Sequence, residues 1–253
     1  MYKTRRSLSQ NFLYNRQLIK HLVGLSSIGK NDSVFEIGPG KGIITQELCQ
    51  RARKVLAVEI DQRLINYLKE NLSNHNLTLV QGDVLDSPLP NASYKVFSNL
   101  PFYIEGKIIR KLLNSNNPPD EACLIVRRET ALRWAGIKNS SMFSVKYSPW
   151  FEFEIIHQFK PGDFQPHTRV PAVMIKITHR YKYLLSKKHQ QKYWQFVKTG
   201  YSGGRRIDQN LKGYFSKQEL VKLTQQVGFS HQARPTQIGV KSWANLFKQL
   251  MIK

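Results

Sequence analysis

The sequence predicts an α/β fold: a doubly wound, Rossmann-like parallel sheet followed by a smaller C-terminal all-α domain. Three observations point to it. Between about residues 33 and 136, short apolar runs alternate with stretches whose apolar residues recur every three or four positions, as strands joined by crossover helices do. The first run closes on a glycine-rich turn, "GPGKG", at the end of a strand where such sheets place their ligand-facing loops. From about residue 181 the pattern changes to short helical stretches broken at Gly200, Gly203, Gly204, Gly213 and Gly228.

Taken in order, the apolar runs predict strands near 33–37, 54–59, 77–81, 94–98 and 122–127. Helices are predicted near 41–51, 61–72, 104–114 and 128–136, and Leu64, Ile65, Leu68 and Leu72 give the second its apolar face. Two further β-like runs, "WFEFEIIHQF" and "AVMIKITHR", flank a Pro/Gly-rich loop from Lys160 to Pro171 and predict an antiparallel hairpin at the sheet edge. A length of 253 residues admits one large domain or a core with an appendage. The change of texture divides the chain into a catalytic domain over 1–180 and a basic helical domain over 181–253.

Charge narrows the partners. Lys and Arg number 39 against 17 Asp and Glu, a formal net charge of +22. Residues 181–253 alone carry 14 basic and two acidic residues. Such an excess favours a polyanion, because bound basic side chains release phosphate counterions. RNA or DNA leads over a membrane surface: no run approaches the 18 apolar residues of a spanning helix, and the basic start "MYKTRRSLSQNFL" lacks the apolar stretch of a secretory signal. Cys49 and Cys123 have no metal-ligand spacing and neither do the seven histidines, so reduced thiols, a cytoplasmic location and no metal are expected. Trp134, Trp150, Trp194 and Trp243 read as core or domain-interface residues.

The turn "EIGPGKG" places Gly38, Gly40 and Gly42 where bare backbone lets a nucleotide-like ligand approach. A dinucleotide fingerprint needs a third glycine three residues after Gly40, where Ile43 stands. The spacing suits S-adenosylmethionine, which has no pyrophosphate to cradle. Glu59 ends the second strand about twenty residues further on, where a carboxylate either accepts both hydroxyls of a ribose or is a solvated strand-end charge. Asp83 in "GDVL" ends the third and is either an acceptor for an adenine amine or an Asx turn.

The fourth strand runs into Asn99-Leu100-Pro101-Phe102. An exocyclic adenine amine is a poor nucleophile because its lone pair is delocalised into the ring, so a catalyst must bring hydrogen-bond acceptors to it. Asn99 Oδ1 and the Leu100 carbonyl can serve, Pro101 stiffens the backbone between them, and Phe102 offers a face on which a flipped-out base can stack.

In order, "SQNFL", "EIGPGKG", "VEID", "GDVL", "NLPF" and "FQPHTRV" resemble the motifs of ribosomal RNA adenine-N6 methyltransferases, over essentially the whole chain. The resemblance implies a class I S-adenosylmethionine-dependent fold. It implies that Asn11, Leu13, Gly38, Gly40, Glu59, Ile60, Asp83, Val84 and Asn99 bind the cofactor, and that Phe164 faces Phe102 across the target base. Two branches are open. "RRSLSQNFL" and "FVKTGYSGGRRIDQNL" look more like the erythromycin-resistance (Erm) branch, which modifies an adenine in the peptidyl transferase region of 23S rRNA and confers macrolide-lincosamide-streptogramin B resistance. The other branch dimethylates adenines of small-subunit 16S rRNA. Non-catalytic RNA-binding or transcription factors on the same fold are a further alternative, against which Asn99, Glu59 and the glycine turn argue, and a DNA adenine methyltransferase is another, since the amine chemistry is identical. The Erm-like reading implies a monomer that acts on 23S rRNA before ribosome assembly is complete.

Three positions depart from the family pattern: Phe102 for the usual tyrosine, Gly106 where a small hydroxyl residue is common, and Thr168 for a common proline. They bear on substrate choice and extent of methylation. Lys3, Arg5, Arg6, Arg127, Arg128, Arg133, Arg205 and Arg206 are the expected phosphate contacts.

Overall fold

A computed structural model describes residues 12–252. Asn11, Lys3, Arg5 and Arg6 lie outside the described residues. The described residues form two compact units, one of residues 12–131 with 154–178 and the other of residues 132–153 with 179–252.

The first unit is built on β2 (Ser33–Ile37), β3 (Lys54–Glu59), β4 (Leu77–Gln81), β5 (Lys95–Asn99), β6 (Glu121–Arg127) and β9 (Ala172–His179). With β7 (Phe151–Gln158), they form a seven-stranded sheet in the order β4-β3-β2-β5-β6-β9-β7. The pairs from β4 to β6 are parallel, and β9 joins β6 antiparallel from Glu121↔Thr178 to Arg127↔Ala172. The expected edge hairpin therefore takes the form of β9 pairing inward with β6 and β7 holding the edge. The crossover helices are α2 (Ile43–Arg51), α3 (Gln62–Asn71) and α4 (Glu105–Asn114), and α1 (Arg16–Gly24) precedes them. In α4, Ile108, Ile109, Leu112 and Leu113 are buried, the one-sided stripe of a helix on a sheet. Ile19, Leu22 and Val23 of α1 and Ile44 and Leu48 of α2 share a core with Val34, Val55, Phe97, Cys123 and Ile125 from alternate strand positions.

Strand order reverses between β2 and β5, and there the ladder is short: only Val34↔Lys95 and Phe35↔Val96 pair. Beyond it the Ser98 hydroxyl donates to the Ile37 carbonyl, bridging strands that have begun to part. Such a switch point is where open α/β sheets place their ligand crevice. A separate two-stranded sheet pairs β1 (Phe12–Leu13) with β8 (Phe164–Gln165), which sequence periodicity does not reveal because both strands are too short.

In the second unit, α6 (Met142–Tyr147) packs with α7 (Gln190–Tyr201) and α10 (Val240–Ile252), alongside α8 (Ile207–Asn210) and α9 (Lys217–Val227); α5 (Arg128–Ala135) runs across the division between the units. A single cut at 180 does not describe this unit, because residues 132–153 are tied into it. The Tyr193 hydroxyl donates to Val145 O at 3.1 Å, and Trp194 Nε1 to Lys146 O at 3.0 Å. Ser140 N–H donates to Thr236 O at 2.9 Å. Trp150 and Trp243 are fully buried and Trp134 nearly so. Gly200 is required by this packing, since a Cβ there would lie 2.3 Å from the Trp243 ring. Among the described residues no helix is long and apolar enough to cross a membrane.

Candidate active site

At the carboxyl edge of the sheet a cavity of about 940 Å³ opens over the switch point. Its floor is the turn between β2 and α2. Gly38, Gly40 and Gly42 have φ of 66°, 58° and 81°, left-handed values that residues with a Cβ adopt at a cost. A Cβ at Gly40 would meet the Phe12 ring at 2.7 Å, so the N-terminal strand closes directly on the glycine backbone. A Cβ at Gly38 would meet nothing within 4 Å, and this is where the cavity admits a ligand against bare backbone.

Glu59 lies at the end of β3, only 3% exposed. Its Oε1 accepts from Ile60 N–H at 2.9 Å and Asp61 N–H at 3.0 Å, and its Oε2 accepts from Gly40 N–H at 3.2 Å. The carboxylate thus fixes the glycine turn while keeping acceptor capacity toward the cavity it lines. Asp83 forms the Asx turn, Oδ1 accepting Leu85 N–H at 2.8 Å, and it also lines the cavity. Ile60, half exposed, and Val84, buried, line the same cavity. Beneath them, burial pushes the Glu36 carboxyl up to about 8, opposed by Thr45 and reinforced by the Glu59 charge. Its Oε2 has no hydrogen-bond partner, as suits an acid that is better neutral than charged.

The loop after β5 supplies the opposite wall. Asn99, Leu100, Pro101 and Phe102 all line the cavity. Leu100 N–H donates to Ile125 O at 3.1 Å and Ile104 N–H to Pro101 O at 3.1 Å, which pins the loop at both ends. Glu105, 2% exposed, begins α4 and clasps the neighbouring strand end: it accepts from Arg127 Nε at 2.7 Å, Arg127 N–H at 3.2 Å and the Thr130 hydroxyl.

The site therefore gathers Leu13, Gly38, Gly40, Glu59, Ile60, Asp83, Val84 and Asn99 to Phe102 around one cavity. Phe164 is a correction: it is completely buried, packs on Phe159 at 5.2 Å between ring centroids, and belongs to the core. Its neighbours Gln165 and Pro166, joined by a cis peptide, line the cavity in its place. Of the expected phosphate contacts, Arg127 pairs with Glu105 and Arg206 with Asp208, each with 41% of its side chain exposed. Arg128, Arg133 and Arg205 are exposed.

Sequence reasoning passed over Phe12, Tyr67, Tyr103 and Lys107, which also line the cavity. Phe12 was within reach, since it lies inside "SQNFL" and glycine invites a close neighbour. Tyr103 is 66% exposed, and burial of its phenol, with the Asp83 and Glu59 charges, raises its pKa. Among the described residues no group of three or more His, Cys, Asp or Glu could hold a metal. Both cysteines are buried, and burial with the Glu36 charge pushes Cys49 up to about 12.

Comparisons with known proteins agree with this geometry. The family described as "Ribosomal RNA adenine dimethylase" matches residues 1–251. The chain is 31% identical over 258 residues to the ribosomal RNA small subunit methyltransferase A of Mycoplasmopsis pulmonis, covering 98% of this chain and 99% of that protein. It is 31% identical over 264 residues to the same-named protein of Latilactobacillus sakei, covering 97% and 89%. Among solved structures, the 23S rRNA methyltransferase ErmE superposes with a TM-score of 0.86 at 26% identity, covering 95% of this chain and all of that one. A dimethyladenosine transferase from Plasmodium falciparum shares the fold, with a TM-score of 0.79 at 19% identity over 95% and 98%. A glycine-floored cavity facing an Asn-Leu-Pro-Phe wall, in a chain matched along nearly its whole length, makes this an S-adenosylmethionine-dependent rRNA adenine methyltransferase that belongs to the ribosomal RNA adenine dimethylase family.

Proposed function

We propose that the enzyme methylates N6 of an adenine flipped into the cavity, and that the adenine lies in the peptidyl transferase region of 23S rRNA. The observation that carries the chemistry is the shared cavity: Asn99 to Phe102 form one wall of the space whose floor is Gly38 and Gly40. When bound, S-adenosylmethionine supplies an electrophilic methyl group. The bare backbone at Gly38 would admit it, Glu59 would accept from its ribose hydroxyls, and Asp83 Oδ2 would accept from its adenine amine. On the other wall, Asn99 Oδ1 and the Leu100 carbonyl accept from the target amine and draw electron density onto the nitrogen, while Phe102 stacks on the base. The N–C bond forms as the S–C bond breaks, and the proton then leaves the nitrogen for water. No side-chain base is needed.

The large-subunit target rests on the likeness to ErmE and on the Erm-like "RRSLSQNFL" and "FVKTGYSGGRRIDQNL". Modification there by a monomer acting on unassembled rRNA in the cytoplasm would protect ribosomes from macrolides, lincosamides and streptogramin B. A second reading, dimethylation of 16S rRNA, is favoured by the 31% identity to two small-subunit methyltransferases. One assay separates them: labelled S-adenosylmethionine is offered with protein-free 23S rRNA, assembled small subunits or duplex DNA, and the methylated base is mapped. Label on 23S rRNA in the peptidyl transferase region, with macrolide tolerance in a susceptible host, is the expected result. Label on 16S rRNA alone would replace the first reading with the second.

A further inference from the structure

Residues 180–188 of the helical unit hold a feature that the methyl-transfer site does not use. After β9 the chain turns through Arg180 to Leu185, and both ends of this turn are fastened. Arg180 N–H donates to Trp150 O at 2.9 Å, and its side chain donates to Ser148 O and pairs with Glu152 Oε1 at 2.8 Å. Four residues on, Leu184 N–H donates to Pro149 O at 2.9 Å, and the Leu185 side chain is buried. What lies between projects outward. Tyr181 is fully exposed, at 106%, and Tyr183 is exposed at 36%. Lys187 Nζ stands 5.5 Å from the Tyr183 ring centroid, and the Tyr183 hydroxyl lies 3.4 Å from His179 Nδ1.

A tyrosine ring ordinarily buries its apolar body and leaves only the hydroxyl wet. Here a ring is held out on a backbone pinned at both sides. The charge along the segment has one sign: no Asp or Glu occurs between Asp163 and Asp208, while Lys182, Lys187 and Lys188 flank the turn in sequence and are exposed. Glu152 of β7, the carboxylate that meets the turn, is paired with Arg180. An exposed ring among unopposed cations fits an unpaired nucleobase with its two flanking phosphates, because every base has a face to stack and every phosphate a charge to neutralise.

We propose that the 180–188 turn is a stacking platform for single-stranded rRNA, with Tyr181 receiving an unpaired base and Lys182 and Lys188 the adjoining phosphates. The proposal rests on rRNA being the substrate. Stacking of this kind tolerates any base, so the platform anchors the RNA outside the cavity without choosing the adenine to be methylated.

RNA binding measured across a series of salt concentrations tests it, with methylation kinetics on the same RNA. Tyr181→Ala, at a fully exposed position that folding does not need, should weaken binding by about 5- to 100-fold without changing the slope of log affinity against log salt. Its KM for RNA should rise by a similar factor while kcat at saturating RNA holds. Tyr181→Phe should bind as the wild type does. Lys182→Ala and Lys188→Ala should each lower the salt slope by about one. Unchanged affinity for Tyr181→Ala overturns the proposal. So does a loss seen only on assembled subunits and not on protein-free RNA, which would seat the ring on a ribosomal protein. If the wild type bound and methylated no rRNA, the substrate reading would fall and take this proposal with it.

Discussion

The turn after β2 and the loop after β5 lie at the same edge of the sheet and line one cavity, yet different forces shape them. The turn is held by its own backbone: three alternate left-handed glycines, closed by a single carboxylate, Glu59, that accepts Gly40 N–H. The loop from Asn99 to Ile104 has no such conformational signature. It is braced by a buried side chain, Glu105, which reaches Arg127 and Thr130, more than twenty residues further along the chain. A device made of local dihedrals tolerates change in its neighbours and fails when a glycine is lost. A device made of a distant clasp fails when any one partner is lost, because the remaining buried polar groups are left unpaired.

The largest effect is expected on the loop side. Asn99→Ala should slow single-turnover methylation on the order of a hundredfold or more at saturating cofactor and RNA, with RNA affinity nearly unchanged, as for loss of one preorganised polar group. A near-normal rate in a folded protein would reduce the Asn-Leu-Pro-Phe wall to a turn. Next comes the clasp itself. Glu105→Ala should cost about 1–3 kcal/mol of stability, read by denaturant unfolding, and should lower kcat while leaving the cofactor Kd in place. Glu105→Gln keeps acceptor oxygen for Arg127 and Thr130 and should recover part of both. Equal behaviour of the Ala and Gln variants would mean that the clasp contributes volume alone.

On the turn side the expected effects are smaller and of a different kind. Gly40→Ala strains a backbone at φ 58° and pushes on the Phe12 ring, a cost of about 1–2 kcal/mol. S-adenosylmethionine binding, measured by calorimetry, should weaken about five- to thirtyfold with RNA affinity intact. The reverse, RNA affinity lost and cofactor affinity kept, would contradict the division of labour between the two walls.

Glu36, just upstream of the turn, is expected to touch methyl transfer least, and the sign of its effect on stability can be worked out. Its carboxyl titrates near 4.5 ordinarily and near 8 in the fold. Between those values the folded chain keeps a proton that the unfolded chain releases, so this group's contribution to stability falls as pH rises from about 4.5 to about 8. Glu36→Gln, which cannot ionise, should match the wild type below pH 4.5 and melt at a higher temperature above pH 8. A melting temperature difference that did not grow with pH would mean that the carboxylate finds compensation in the fold.

Legibility followed the range of the forces. The parallel strands, the crossover helices and the glycine turn could be read from the chain because each depends on periodicity or dihedrals within a few residues. Glu59 and Asp83 could be placed because a strand end fixes where its last side chain stands. Phe164 could not: its aromatic character suits a stacking wall or a core equally well, and only the pairing of β8 with β1 turned it inward onto Phe159. That Arg127 pairs with Glu105 and Arg206 with Asp208 could not be read either, because charge is visible in a sequence and its partner is not. The same limit hid the helical unit's claim on residues 132–153, whose ties to Tyr193, Trp194 and Thr236 span 48 residues or more.

By itself, then, the sequence determined the class of fold, the cofactor turn and the order of groups along the sheet edge, all short-range properties of dihedral preference and apolar period. The tertiary structure alone decided which of those groups face the cavity, which arginines pair with carboxylates, and which tyrosines stand in solvent. Those choices depend on burial and on partners brought together by the whole fold, and a side chain's chemistry does not reveal who its neighbours are.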